Sequence, residues 1–240
     1  MKKTKVLGHR GCAGLEPENT MRAFKRALDL GVDFIEFDIR MTKDKKLVVI
    51  HDEKLDRTTN GMGFVRDFNF EKIRKFDAEK GEKIPSFKQT LKFLKNKRPI
   101  ILIEIKEPET AEAILKIIKK EKLENKVLVV SFWHNVLKKI KEIDPKIKTG
   151  ALFRKKVKNI IPLIKEIKAD GLGLEYHSID EEIVKDCHKE NLEINAWTVN
   201  EIEDIERMIK LGVDIISSNY PNRVLEILKK RKGRLYFQLK

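Results

Sequence analysis

Eight short apolar runs alternate with helix-patterned segments along almost the whole chain, and this alternation restricts the fold more than any other property of the sequence. The runs are Lys5–Gly8, Asp33–Arg40, Ile100–Lys106, Val127–Phe132, Lys148–Phe153, Gly171–Glu175, Glu193–Val199 and Val213–Ser217. Helix start and stop signals fall between them. Asn19-Thr20 opens a helix that closes at Gly31. Ser86 with Gln89, and Asn200 with Glu203, form capping-box patterns, and the second of these helices ends at Gly212. Pro221 stands where a first helical turn begins. Strands alternating with helices predict a parallel α/β protein. Eight such units in about 230 residues match a (β/α)8 (TIM) barrel; a doubly wound open sheet is the alternative. The 240 residues suit one large domain or two small ones and can bury a substantial core; the alternation reads as a single barrel domain spanning 1–240.

Two segments interrupt the alternation. Leu47–His51 is an extra extended run with no helix before it, and it pairs most simply with the preceding strand as a hairpin. With Asp44-Lys45 as a two-residue turn, His51 falls opposite Asp38. Residues 53–84 contain Thr58-Thr59-Asn60-Gly61-Met62-Gly63 and a short helix near Phe70–Phe76. That is too long for an ordinary βα loop, and it reads as a small insertion after the second strand, over the barrel mouth.

The strands carry acids near their C-terminal ends. In Ile35-Glu36-Phe37-Asp38 successive side chains alternate in direction, so Glu36 and Asp38 project to one side. Glu104 and Lys106 repeat the pattern on another strand. Two carboxylates about 4 Å apart repel by about 4 kcal/mol at an effective dielectric near 20, a strain relieved by a proton or a cation. The bland alternative is a solvated strand edge; the apolar neighbours and the recurrence at Glu104 oppose it. Oxygen-only ligands from Glu36, Asp38 and Glu104 suit Mg²⁺ or Ca²⁺ better than zinc. In barrels the C-terminal strand ends carry the active site.

His9 ends Val6-Leu7-Gly8, and His51 ends Leu47-Val48-Val49-Ile50, so each stands at a strand end. Imidazoles titrate near neutral pH and can act as base and acid around a phosphate or an ester. Arg10 and Lys106 are the anion-binding candidates, and Gly11 lets backbone approach a ligand. Trp197, in a late strand, walls the pocket or packs in the core. Glu175 ends another strand. His134, His177 and His188 lie in helix or loop contexts without matching acids and read as surface or helix-terminal groups. Ser131, Ser217 and Ser218 lack a nucleophile elbow.

Charge and cysteine usage narrow the partners. The net charge is +14, but the lysines are spread through helix-like segments as a solvated surface. There is no arginine-rich tail or aromatic-interleaved basic run, so no nucleic-acid partner is expected. Cys12 and Cys187 form neither a metal-ligand spacing nor a disulfide framework, which fits a reducing compartment. No apolar h-region and no span of about 18 apolar residues occurs. The expectation is a cytoplasmic protein without a membrane span. The apolar tail Leu235-Tyr236-Phe237-Gln238-Leu239 receives no role, and the oligomeric state is not legible.

At this level the chain resembles the glycerophosphodiester phosphodiesterases. The resemblance rests on His9-Arg10-Gly11, Pro17-Glu18-Asn19-Thr20, the run Gly31 to Asp38, His51-Asp52 and Asp56-Arg57-Thr58-Thr59-Asn60-Gly61. It continues through Ile84-Pro85-Ser86, Ile103-Glu104-Ile105-Lys106, Trp197-Thr198-Val199-Asn200 and Gly212-Val213-Asp214, in family order over nearly the whole chain. It implies a (β/α)8 barrel with a small insertion, and hydrolysis of a small-molecule glycerophosphodiester to glycerol phosphate and an alcohol. It implies a divalent cation on Glu36, Asp38 and Glu104, acid/base roles for His9 and His51, and phosphate contacts from Arg10 and Lys106. Ser217-Ser218-Asn219-Tyr220-Pro221 is a looser version of the family's ending before the last helix, where an acid often stands at the position of Asn219. The rival readings are a phospholipase D- or C-like activity on lysophospholipids, and a non-catalytic barrel that binds phosphate or nucleic acid.

Overall fold

The computed structural model describes residues 3–238, with side chains through Arg231, so the apolar tail Leu235–Leu239 lies outside the described side chains. Among the described residues nine strands form: β1 (Lys5–Gly8), β2 (Phe34–Met41), β3 (Leu47–Val49), β4 (Ile100–Ile105), β5 (Val127–Ser131), β6 (Lys148–Phe153), β7 (Gly171–Glu175), β8 (Glu193–Trp197) and β9 (Ile215–Ser218). All but β3 run parallel to their neighbours, and β1 pairs with both β2 and β9, which closes the ring. Helices follow the strands: α1 (Met21–Leu30), α2 (Phe70–Ile73), α3 (Phe87–Leu94), α4 (Ala111–Glu121), α5 (His134–Ile143), α6 (Ile160–Glu166), α7 (Glu181–Lys189), α8 (Ile202–Leu211) and α9 (Pro221–Gln238). The fold is the eight-stranded parallel barrel, and the open sheet is excluded by the β1–β2 pairing. Among the described residues no helix is long and apolar enough to cross a membrane.

The two-residue alternation of the strands sorts side chains between helices and barrel axis. On β2 and β4 the outward positions Ile35, Phe37, Ile39, Ile101, Ile103 and Ile105 pack under the helices. Phe37 meets Phe24 of α1 at 5.7 Å and Phe87 of α3 at 6.1 Å between ring centroids. The inward positions Leu7, Phe34, Leu102, Val130, Leu152 and Ile215 fill the axis. Along β2 the inward series runs Phe34, Glu36, Asp38, and the paired β4 series runs Ile100, Leu102, Glu104. Both are apolar below and acidic above.

Local signals place the helices. The Thr20 hydroxyl accepts the Ala23 N–H at 3.2 Å, and Gly31 ends α1 with φ +80°. Ser86 caps α3 by accepting the Gln89 N–H at 3.2 Å, and α9 starts at Pro221. Asn200 does not cap α8. Its side-chain oxygen instead accepts the Asn219 N–H at 3.0 Å and the Ser218 hydroxyl at 3.3 Å, tying the loop after β8 to the loop after β9.

The hairpin differs from expectation by one residue. β2 and β3 pair Ile39 with Val49 and Met41 with Leu47, so Ile50, not His51, stands opposite Asp38. Lys45 takes φ +60°, and Thr42 and Lys46 close a three-residue loop through the Thr42 N–H to the Lys46 carbonyl at 2.9 Å. β3 ends at Val49, short of the expected run, although the Ile50 N–H still donates to the Asp38 carbonyl at 3.1 Å. The following segment builds a satellite core of Leu55, Val65, Ile73, Ala78 and Ile84 against Val48 and Ile50. Its helix lasts only Phe70–Ile73.

Candidate active site

Glu36, Asp38 and Glu104 come together at the C-terminal end of the barrel. Each offers an oxygen, and those oxygens lie within 4.8 Å of one another. The residues are only 4%, 0% and 9% exposed, so water screens them little. Burial, then Asp38 and Glu104, holds the Glu36 carboxyl well above the usual carboxylate range. Burial and Asp38 likewise push Glu104 up to about 7. Asp38 goes the other way: burial opposes its charge, but Lys106, Arg10, His51 and the Asn19 amide outweigh burial and hold it down at about 2. Three anions here exceed what the nearby cations neutralise.

The surrounding contacts leave specific oxygens open. The Arg10 N–H donates to Glu36 Oε2 at 2.6 Å, while Glu36 Oε1 is buried without a hydrogen bond. Asn19 donates to Asp38 Oδ2 at 2.9 Å, while Asp38 Oδ1 has only Lys106 Nζ, at 3.6 Å. Lys106 donates to Glu104 Oε1 at 2.7 Å. Buried unpaired carboxylate oxygens are costly. Their presence beside a third acid, with oxygen donors alone, fits a hard divalent cation.

The two histidines flank this cluster with different partners. His9 Nδ1 lies 2.7 Å from the Asn219 amide oxygen, which accepts its proton and leaves Nε2 unprotonated. Burial, then the neighbouring Arg10, pushes His9 down to about 4. His51 Nδ1 lies 2.6 Å from the Asp52 carboxylate. Burial also lowers His51, although Asp38 and Asp52 resist it. Arg40 fixes the His51 backbone by donating to its carbonyl at 2.8 Å and is itself held by Glu107 at 2.9 Å.

An alternating chain of charges joins the histidine loops. Asp52 accepts from Arg57 Nε at 2.6 Å; Arg57 donates to Glu18 at 2.8 and 2.9 Å; Glu18 accepts from Arg10 at 2.9 Å. Arg10 lies 3.6 Å from Asp38. Sequence reasoning on single residues passed over Glu18, Asn19 and Asn219, polar residues in loops that follow barrel strands, and Arg57, in the segment after β3. His9, Arg10, Glu36, His51, Glu104, Lys106 and Trp197 share one pocket of about 240 Å³. Arg154 and Phe132, also unselected from the sequence, line it with them.

Other candidates are absorbed elsewhere. Glu175 accepts from His177 at 2.8 Å, and His188 bonds Asp214 at 3.0 Å, so two histidines expected to lack acids have them. His134 meets the Leu152 carbonyl at 2.9 Å. The Ser131 hydroxyl donates to the Ile105 carbonyl and the Ser217 hydroxyl to Asn195, which leaves neither as a nucleophile.

The chain is similar to known proteins along nearly its whole length. A glycerophosphodiester phosphodiesterase of Caldanaerobacter subterraneus subsp. tengcongensis is 41% identical over 95% of this chain and 99% of its own. A crystal structure of a glycerophosphodiester phosphodiesterase from Parabacteroides distasonis is 28% identical and superimposes with a TM-score of 0.86, covering 96% of this chain and 99% of that one. An Oleispira antarctica phosphodiesterase, solved in complex with the product sn-glycerol-3-phosphate, shares the fold at a TM-score of 0.89 and 24% identity, over 94% and 96% of the two chains. The sequence profile of the glycerophosphoryl diester phosphodiesterase family matches residues 9–223, and the chain belongs to that family of phosphoric diester hydrolases.

Proposed function

We propose that this chain hydrolyses glycerophosphodiesters to glycerol phosphate and a free alcohol, using a divalent cation and two histidines. The observation that carries the reading is three buried carboxylates that bring oxygens within 4.8 Å of one another, two of them with an unpaired oxygen, beside a pocket that two imidazoles line. Glu36, Asp38 and Glu104 would hold the cation, Mg²⁺ or Ca²⁺ by their oxygen-only chemistry. When bound, it supplies Lewis acidity to a phosphate oxygen and to a hydroxyl. His9, neutral and with Nδ1–H committed to Asn219, takes the proton of the attacking hydroxyl at Nε2. That hydroxyl is the glycerol 2-hydroxyl, giving a cyclic phosphate that water then opens; direct attack by water is the rival route. His51, whose imidazolium form Asp52 stabilises, delivers a proton to the leaving alcohol. Arg10 and Lys106 offset charge on the non-bridging oxygens. Residues 53–84 act as an insertion of the barrel domain that supplies Arg57, and through it orients Asp52 and Glu18.

The test is turnover of glycerophosphoethanolamine. EDTA abolishes it, and Mg²⁺ or Ca²⁺ restores it. His9→Ala and His51→Ala each lower kcat by about 10²–10⁴. Full activity in chelator removes the cation, and full activity in both variants removes the acid/base pair.

A further inference from the structure

Arg154 stands apart from every other cation of the pocket. It is the first residue after β6, and β6 lies four strands from β1 whichever way the ring is followed. Arg154 therefore faces the His9–Arg10 loop across the mouth. Arg10 and Lys106 are engaged by Glu18, Asp38 and Glu104. Arg154 forms no ion pair among the described residues. Its guanidinium instead lies 4.8 Å over the Phe132 ring, which meets Trp197 edge-on at 5.6 Å. A guanidinium laid on an aromatic face is ordered while keeping its donors free. In the loop after β6 it is Lys156 that takes the acids, Asp180 and Glu182, and after β7 Glu175 holds His177.

In-line displacement places the leaving oxygen on the far side of phosphorus from the attacking one. With the attacking oxygen beside His9 and the leaving oxygen beside His51, the substituent of the leaving alcohol runs on into the part of the pocket that Phe132, Arg154 and Trp197 line. We propose that Arg154 reads the leaving alcohol, favouring one that carries a phosphate or carboxylate over one that carries a fixed cation. This rests on the phosphodiesterase reading above. An anionic substituent gains a charge-assisted, two-pronged hydrogen bond from the guanidinium, while a quaternary ammonium meets a like charge.

The experiment compares kcat/KM for glycerophosphoinositol 4-phosphate, glycerophosphoinositol and glycerophosphocholine in the unaltered chain and in the variants R154K, R154A and R154E. The two inositol substrates share ring size and differ in the added phosphate. The unaltered chain prefers the phosphorylated one. R154A lowers that preference about tenfold, the scale of one charge-assisted hydrogen bond. R154K retains part of it, and R154E turns the order toward glycerophosphocholine. An equal loss on all three substrates makes Arg154 a ligand of the scissile phosphate and overturns the proposal. Unchanged ratios in R154A and R154E overturn it as well. If the unaltered chain hydrolyses none of the three, nor glycerophosphoethanolamine, the phosphodiesterase reading itself falls, and the proposal with it.

Discussion

The barrel has two open ends built from the same eight strands, and they differ in chemistry more than in shape. At the N-terminal end a cavity of about 620 Å³ opens between Phe34, Ile100, Leu128 and Ile215. At the C-terminal end the pocket is only about 240 Å³. Leu102, Val130, Leu152 and Asn195 line both and form the partition between them. The larger cavity keeps its charges at the rim, as in the Lys5–Glu193 pair at 2.8 Å, where both side chains are about one-third exposed. Buried Glu36 and Glu104 line the smaller one, and Asp38 is buried beside them. Volume therefore does not mark the reactive end. What marks it is charge that has been driven out of water and left partly uncompensated.

The sharpest way to break this contrast is to damage each end separately. Asp38→Asn removes the one acid of the trio held firmly ionised. It should cost at least the about 10²–10⁴ in turnover expected from losing an acid/base group. Ile215→Ala, on the inward face below, should cost about 2–5 kcal/mol of stability. At temperatures where that variant stays folded, its kcat/KM should remain close to that of the unaltered chain. Chemical denaturation and steady-state kinetics on both proteins read the two effects. A large kinetic loss in Ile215→Ala would show that the lower end takes part in turnover.

A smaller effect separates the two histidines. His9 faces a neutral amide and His51 a carboxylate. Asn219→Asp would place a negative charge against His9 Nδ1, and an opposite charge within 4–6 Å raises an imidazole's affinity for protons. If His9 must be neutral to act as base, the acidic limb of the kcat/KM–pH profile moves up by about one to three pH units. An unmoved limb would assign the base role elsewhere. The same group carries an acid sensitivity in the unaltered chain. Its folded value of about 4 lies below the unfolded value of 6.5, so its contribution to stability is complete above that value and is lost as pH falls toward 4.

How far the sequence discloses this molecule depends on whether a feature is local. The barrel strands are legible because strands buried on both faces read as bare apolar runs. The gathering of Glu36, Asp38 and Glu104 is legible because strand alternation alone puts i and i+2 on one face. The hairpin register is not, because it turns on Lys45 adopting a left-handed conformation in a loop without glycine or asparagine. Asn200 has the spacing of a helix cap, yet a partner from another loop takes its oxygen. Glu18, Arg57 and Asn219 matter only once three loops converge, and no periodicity records that convergence. Arg154 obeys the rule that selects His9 and His51, a polar residue just past an apolar run, but it sits in a basic stretch that reads as ordinary surface.

The two cysteines offer the gentlest comparison of the barrel's ends. Cys12 lies in the loop after β1, on the catalytic side, and its Sγ–H donates to the Ala23 carbonyl at 3.3 Å. Cys187 lies near the C-terminus of α7, where the chain turns back toward the start of β8. Both are fully buried, and burial pushes each thiol up to about 12, with Glu16 adding to the effect at Cys12 and Asp214 at Cys187. Attack by a thiol reagent needs the exposed thiolate. Neither should react at pH 8 in the native protein, and titration with an aromatic disulfide should release no signal until denaturant is added. Because Cys12 packs beneath loops held mainly by ion pairs, and Cys187 beneath an apolar helix face, raising salt should loosen the first before the second. Modification of Cys187 ahead of Cys12 in high salt would mean that the charge chain from Arg10 to Asp52 does not govern the opening of the catalytic end.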